Sequence, residues 1–254
     1  MIKEITSTKN QTYKYVKSLK TKKARTENNQ YTVEGIKSVR DAISAGADVD
    51  FIVISDRMTE SFDAEKIYVV PDELFAGLCD TETPQGVLAV INMPDNTDKS
   101  LDDNLYLYLD RLSDPGNVGT IIRICDAVGC GLLISDGTCD IYNPKTVRAS
   151  MGSFFHTSIK TGVNVSDLEK LKSNGYKIIS GALNGNTVDY SLADYSGKTV
   201  IVAGNEANGV SDEILTMSDL CVKIPIWGKA ESLNVGVASA ILLYEARKTN
   251  LNMP

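Results

Sequence analysis

A chain of 254 residues with 43% hydrophobic side chains can bury a substantial core in one or two domains. No apolar run approaches the ~20 residues of a membrane span, and Met1-Ile2-Lys3-Glu4-Ile5 lacks a signal-peptide core, so a cytoplasmic location is expected. The net charge of −7 weighs against nucleic-acid binding by the surface as a whole.

That charge is unevenly placed. The first 25 residues hold Lys3, Lys9, Lys14, Lys17, Lys20, Lys22, Lys23 and Arg25 against Glu4 alone, a local +7 that leaves −14 on the remainder. Residues 1–27 therefore read as a basic helical lead, and the asymmetry suggests a local nucleic-acid contact. A solvated amphipathic helix, with Tyr13, Val16 and Leu19 inward, accounts for the same pattern without one. Strands are expected at Gln30–Glu34, Phe51–Ser55, Tyr68–Val70 and Val87–Ile91, with helices at Ile36–Ala45 and Asp72–Cys79. These make a small α/β domain over residues 1–94. The breaker-rich stretch that follows places a linker over 95–104.

From residue 105 strands and helices alternate. Strands are expected at Leu105–Leu109, Leu132–Ser135, Ser158–Lys160, Lys177–Ser180, Thr199–Ala203 and Leu220–Ile224. Helices are expected at Gly119–Ala127, Lys145–Ser150, Asp167–Asn174, Ser211–Met217 and Asn234–Lys248. The alternation predicts a doubly wound parallel sheet over 105–254. No G-x-G-x-x-G or P-loop sequence occurs. The five cysteines show no C-x-x-C pair, so neither a disulfide framework nor a metal site is expected. The only histidine, His156, is read as packing within Ser153-Phe154-Phe155-His156.

Three polar islands interrupt this half. Asp114-Pro115-Gly116-Asn117-Val118-Gly119-Thr120-Ile121-Ile122-Arg123 follows the first strand, its glycines suited to a tight turn and Asn117 to a cap or ligand contact. The second is Ile201-Val202-Ala203-Gly204-Asn205-Glu206-Ala207-Asn208-Gly209-Val210. The third, Lys223 to Val235, ends in Ser232-Leu233-Asn234-Val235 at the start of the last helix, where Ser232 and Asn234 are candidate caps. Loops after the carboxyl ends of parallel strands converge on one edge, so the three islands are expected to share a cleft.

In this order the islands resemble the three motifs of the SpoU (TrmH-like) family of RNA 2′-O-ribose methyltransferases, in the SPOUT class. The matches are Asn117, Gly119 and Arg123; then Gly204, Glu206 and Gly209; then Ser232, Leu233, Asn234 and Val235. Tyr31-Thr32-Val33-Glu34-Gly35 and Thr83-Pro84-Gln85-Gly86-Val87-Leu88-Ala89 look like the family's substrate-binding domain. The third motif departs from many relatives in its lead, Ile226-Trp227-Gly228-Lys229-Ala230-Glu231; Trp227 and Lys229 are candidates for contact with RNA or cofactor.

The resemblance implies an L30e-like RNA-binding domain followed by a Rossmann-like sheet tied in a deep trefoil knot. It implies methyl transfer from S-adenosylmethionine to a ribose 2′-hydroxyl, ribosomal RNA being favoured over transfer RNA, by a homodimer paired through the knot region. Gly204, Ile224 and Leu233 would contact the cofactor. Asn117, Arg123, Glu206, Ser232 and Asn234 would form the catalytic set. A guanidinium stays protonated, so Arg123 is better suited to bind phosphate and stabilise alkoxide charge than to act as a base. Glu206 would orient the site, a role expected to tolerate Gln better than Ala. Two other readings stay open: a non-catalytic RNA- or ribosome-binding factor on this fold, and a SPOUT enzyme that methylates a base.

Overall fold

The computed structural model describes residues 1–97, 101, 103–183 and 185–251. They form two compact units. The first takes residues 1–94 together with 140–156, and the second takes 95–139 and the residues from 157 onward. The linker expected over 95–104 lies partly outside the described residues.

The first unit is built on a five-stranded sheet of β1 (Ile2–Glu4), β2 (Gln30–Glu34), β3 (Val49–Ser55), β4 (Ile67–Val70) and β5 (Val87–Asn92). Its order is β1-β4-β3-β5-β2, with β5 antiparallel to both neighbours. The basic lead is no tail. It holds β1, α1 (Gln11–Ser18) and α2 (Lys22–Asn28), and β1 pairs in parallel with β4. Tyr13, Val16 and Leu19 enter the same core cluster as Phe51, Val53, Leu88 and Val90. The helical periodicity of the lead thus has a structural cause, and the segment cannot be removed without opening the core.

Arg25 is 2% exposed, so it is no surface cation. Its Nε and Nη2 donate to Asp140 Oδ2 at 3.0 and 2.6 Å, and its Nη1 donates to the carbonyl oxygens of Leu19 and Lys20. The full set of partners is what makes burial of this charge tolerable. The remaining elements of this unit are α3 (Ile36–Ser44), α4 (Asp72–Phe75) and, from the later segment, α6 (Pro144–Ala149). Tyr31 of β2 packs against Tyr142 and Phe154 with tilted rings, their centroids 4.8 and 5.8 Å away. His156 does not pack as expected. It follows the short turn Ser153–Phe155 and is exposed, while Phe154 takes the buried place.

The second unit is a seven-stranded sheet, ordered β10-β12-β9-β11-β6-β7-β8 and parallel throughout. Its strands are β6 (Leu105–Asp110), β7 (Gly131–Ile134), β8 (Ile159–Thr161), β9 (Lys177–Gly181), β10 (Val188–Asp189), β11 (Thr199–Gly204) and β12 (Leu220–Lys223). Every residue of β6 is buried, which is why it reads as a continuous apolar run rather than an alternating one. The helices are α5 (Pro115–Val128), α7 (Val165–Ser173), α8 (Asp212–Met217) and α9 (Val235–Leu251). In register, Gly204 lies opposite Asp110, and Val222 opposite Gly181. The strands that lead into the three islands therefore end on one carboxyl edge. The sheet confirms a parallel α/β architecture.

Candidate functional site

The first island is less of a loop than its glycines suggest. Asp114 caps α5 by accepting the Asn117 N–H at 2.8 Å, and Pro115 takes the first helical position, where its missing N–H costs nothing. Gly116 and Gly119 lie inside the helix, not in a positive-φ turn. The helix ends at Gly129, φ 70°, a left-handed cap. Asn117 is not the cap, so its amide is free to act laterally. Arg123, two turns further, is exposed and has no hydrogen bond or ion pair with any described residue.

The second island is a tight loop closed by hydrogen bonds in both directions between the backbones of Asn205 and Gly209. A Cβ on Gly204 would stand 2.2 Å from the Gly209 carbonyl carbon and the Val210 nitrogen. The close approach that requires glycine here is thus made by the chain itself. The loop presents Glu206 at the amino end of α5. Glu206 Oε1 accepts from Asn117 Nδ2 at 3.0 Å and Asp114 N–H at 3.4 Å, and Oε2 accepts from Ser113 N–H and Oγ at 3.3 and 3.2 Å. Burial works to raise the Glu206 pKa, but the donors from Asn117, Ser113 and Asp114 overcome it and leave the carboxyl below its ordinary range. Glu206 is therefore an anion at neutral pH and a poor proton acceptor.

The third island joins the same chain of bonds. Asn234 Nδ2 donates to Asn117 Oδ1 at 2.9 Å. Asn234 Oδ1 accepts the N–H groups of Gly236 and Val237, at 2.9 and 3.3 Å, and so caps α9. Of the two candidate caps, Asn234 serves; Ser232 is exposed and bonds to no described residue. The outcome is a continuous relay, Glu206–Asn117–Asn234, with one residue from each island. Asn117 is its two-sided centre: its NH2 faces the carboxylate and its C=O faces Asn234.

Two supporting groups escape sequence reasoning. Arg111 sits at φ 58°, unusual for a side chain with a Cβ. Its N–H donates to Ser135 Oγ at 2.9 Å, and its carbonyl accepts from Asn205 Nδ2 at 2.7 Å. Its Nε donates to buried Asp110 at 2.8 Å, while Asp110 also accepts the Ser211 N–H at 2.7 Å. This clamp ties the end of β6 to both ends of the Glu206 loop. The only sign of it in the sequence is an Asp-Arg pair closing an apolar strand.

Residues 104–244 match the family model described as the SpoU rRNA Methylase family, and residues 10–89 match that of the MRM3-like substrate binding domain. The chain belongs to the SpoU rRNA methylase family. It is 38% identical over 250 residues to the Bacillus subtilis 23S rRNA (guanosine(2553)-2′-O)-methyltransferase RlmP, covering 97% of this chain and 100% of that one. It is 31% identical over 246 residues to a 23S rRNA (uridine(2479)-2′-O)-methyltransferase of Streptomyces viridochromogenes, covering 90% and 86%. Among solved structures it is similar to an AdoMet-bound rRNA methyltransferase from Sinorhizobium meliloti, with a TM-score of 0.87, 31% identity and coverage of 97% and 98%.

A SpoU enzyme needs a place for S-adenosylmethionine, and the third island fits that group. Residues 224–233 make no hydrogen bond to any described residue, so their backbone donors and acceptors remain available at the carboxyl edge. Ile224 is half-buried and Leu233 is 38% exposed, giving apolar surface beside those polar groups. Trp227 is 92% exposed and Lys229 is also exposed, so neither is spent on the core.

Proposed function

We propose that this protein transfers a methyl group from S-adenosylmethionine to the 2′-hydroxyl of a ribose in ribosomal RNA. It is an RNA ribose methyltransferase with S-adenosylmethionine as its cofactor. The observation that carries the reading is the Glu206–Asn117–Asn234 relay, which unites all three motifs at one sheet edge. Gly204, Ile224 and Leu233 would hold the cofactor, which supplies an electrophilic methyl group when bound.

The remaining steps belong to the chain. Arg123, which has no partner among the described residues, binds the phosphate beside the target ribose through its guanidinium and stabilises the negative charge that grows on the 2′-oxygen. Glu206 stays ionised and fixes the Asn117 amide. Asn117 and Asn234 hold the third island against α5, and Ser232 contacts the substrate. The hydroxyl proton leaves to phosphate or water, since neither Arg123 nor Glu206 is a suitable acceptor.

The finer architecture is part of the same proposal. The first unit is read as an L30e-like module that selects RNA, and residues 105–254 as the transfer domain with a trefoil knot through its C-terminal chain. The assembly is read as a cytoplasmic homodimer. Val237 and Tyr244 support it: they are 50% and 57% exposed on α9, while Leu242, Leu243 and Ala246 of the same helix are buried. A two-fold contact over that exposed face would double the 27.6 kDa mass seen by light scattering. Among the described residues no helix is long and apolar enough to cross a membrane.

Ribose-methylation mapping of total RNA with and without the protein tests the function. One lost 2′-O-methyl site in ribosomal RNA is the expected result. A lost base methylation, or no lost site with a protein that fails to bind S-adenosylmethionine, overturns it.

A further inference from the structure

The first unit carries a cavity that the transfer chemistry does not use. It is about 320 Å³ and lies where the two motifs of the substrate-binding resemblance meet the 140–156 segment. Much of each motif is consumed by structure. Gln85 Oε1 accepts the Ile36 N–H at 2.9 Å, and Gly35, at φ 95°, leaves room for that bond: a Cβ there would lie 3.0 Å from the same oxygen. Glu34 turns its carboxylate to the Asp80 N–H and Thr81 Oγ, at 2.8 and 3.2 Å. The one anion lining the cavity is therefore already engaged.

What the structure leaves unused is a set of donors. Arg148 lines the cavity from α6, and its Nη1 is buried with no hydrogen-bond partner among the described residues. Lys37 and Ser38, at the start of α3, have side chains with no partner among the described residues, and the Gln85 Nε2 likewise. A buried guanidinium nitrogen without a protein acceptor is costly, and in natural structures a water, an ion or a ligand supplies one. Met151 and Pro84 add apolar wall; Met151 is 52% exposed and held at φ 53°. Two cations and neutral donors exclude a cation and call for an anion, and the thioether and proline beside them call for an apolar group attached to it. They match a phosphodiester with an unstacked base beside it. The volume is at the small end of the ~300–1,000 Å³ range of organic-ligand sites, enough for one nucleotide and not for duplex.

We propose that this cavity captures a single unpaired nucleotide of the RNA substrate, with its phosphate on Arg148 and Lys37 and its base against Met151 and Pro84. The inference rests on the reading of the protein as an RNA methyltransferase, and the test separates the two.

Full-length protein and the variants Lys37→Gln and Arg148→Gln are titrated with a ten-residue oligouridylate, the matching duplex with oligoadenylate, and free uridine monophosphate, at several salt concentrations. Lys37 is exposed, so its variant isolates the phosphate interaction if Arg148→Gln melts early. Each variant is expected to bind the single strand about tenfold more weakly, as for removal of one charge-assisted hydrogen bond. The slope of log K against log salt should fall by about 0.7, the share of one phosphate on a single strand. S-adenosylmethionine affinity should not change. An unchanged affinity and slope in Lys37→Gln, equal sensitivity of the duplex, or uridine monophosphate binding as tightly as the oligomer would each overturn the proposal. Variants that weaken oligouridylate while the wild type methylates no ribosomal RNA would sink the enzymatic reading and leave the cavity assigned. Wild-type methylation with indifferent variants would do the reverse.

Discussion

Glu206→Gln is the most discriminating change at this site, and the geometry reverses what an orienting role alone suggests. The carboxylate is met only by donors: Asn117 Nδ2, two backbone N–H groups, and the Ser113 hydroxyl. Glutamine keeps one acceptor oxygen and replaces the other with an NH2. Placed at Oε1, that NH2 confronts the Asn117 NH2; if Asn117 then flips, its own NH2 confronts Asn234. Placed at Oε2, it confronts the Ser113 N–H. Alanine removes the acceptor but admits water, because Glu206 is exposed. A hydrogen bond to a charged group contributes ~1.5–3 kcal/mol when well made. Three of the four bonds here are 3.2–3.4 Å long, and solvent screens them, so the low end applies. About 1.4 kcal/mol is a tenfold loss in kcat/KM. Glu206→Gln is thus expected to lose about tenfold and to be no milder than Glu206→Ala. Single-turnover methyl transfer, with S-adenosylmethionine titrated separately, measures both. Since its donors hold the Glu206 carboxyl below the ordinary range against partial desolvation, its contribution is complete above the unfolded value of ~4.3. It is lost only as pH falls through that lowered pKa, so the wild-type profile should show no Glu206 limb between about pH 6 and 8. A Gln variant at wild-type rate beside a crippled Ala variant would refute the all-donor reading.

Asn117→Asp should be worse than Asn117→Ala, because it sets a second carboxylate 3.0 Å from Glu206 while removing the amide that answers it; a milder Asp variant in the same transfer assay would break the relay. Arg123→Ala should cut transfer by ~100- to 1000-fold with cofactor affinity within a few-fold, and Arg123→Lys should rescue poorly, since an ammonium lacks the bidentate fork. Near-normal turnover in Arg123→Ala would remove it from the site. Neutralising the exposed Lys9, Lys14, Lys17, Lys22 and Lys23 to Gln should leave the melting temperature nearly unchanged and flatten the salt dependence of RNA binding by about 0.7–0.9 for each phosphate no longer neutralised. An unchanged slope would make those lysines a solvated surface.

The parallel sheet was legible because its central strands are buried on both faces. Apolar runs such as Leu105–Asp110 and Thr199–Gly204 mark themselves whatever surrounds them. Two of the short edge strands, Ile2–Glu4 and Val188–Asp189, were not legible, since all but Asp189 are exposed and only pairing with β4 and β12 orders them. Pattern reading also missed that residues 140–156 group with the first unit. The reason is Asp140, whose value lies in meeting the buried Arg25 guanidinium 115 positions away, and no local periodicity records such a pair.

The site divides in the same way. Its residue types were readable, because an Asn, a Glu and a second Asn after three apolar strands have few roles in a core. Their roles toward one another were not. Sequence allows Asn117 to be a cap, but Asp114 is better placed, directly before Pro115, and that single exchange of duties frees the Asn117 amide to bridge Glu206 and Asn234. Gly204 reads as a place of close backbone approach, and only the structure shows that the Gly209–Val210 backbone makes that approach. In both cases the deciding quantity is the distance between backbones remote in sequence. The Asp110–Arg111 clamp supplies it: a strained residue, held by Ser135, Asn205 and a buried carboxylate, sets how far the Glu206 loop stands from α5. The edge that gathers the three islands is therefore positioned in part by groups outside them, and the motif residues alone contain only half of what sets its geometry.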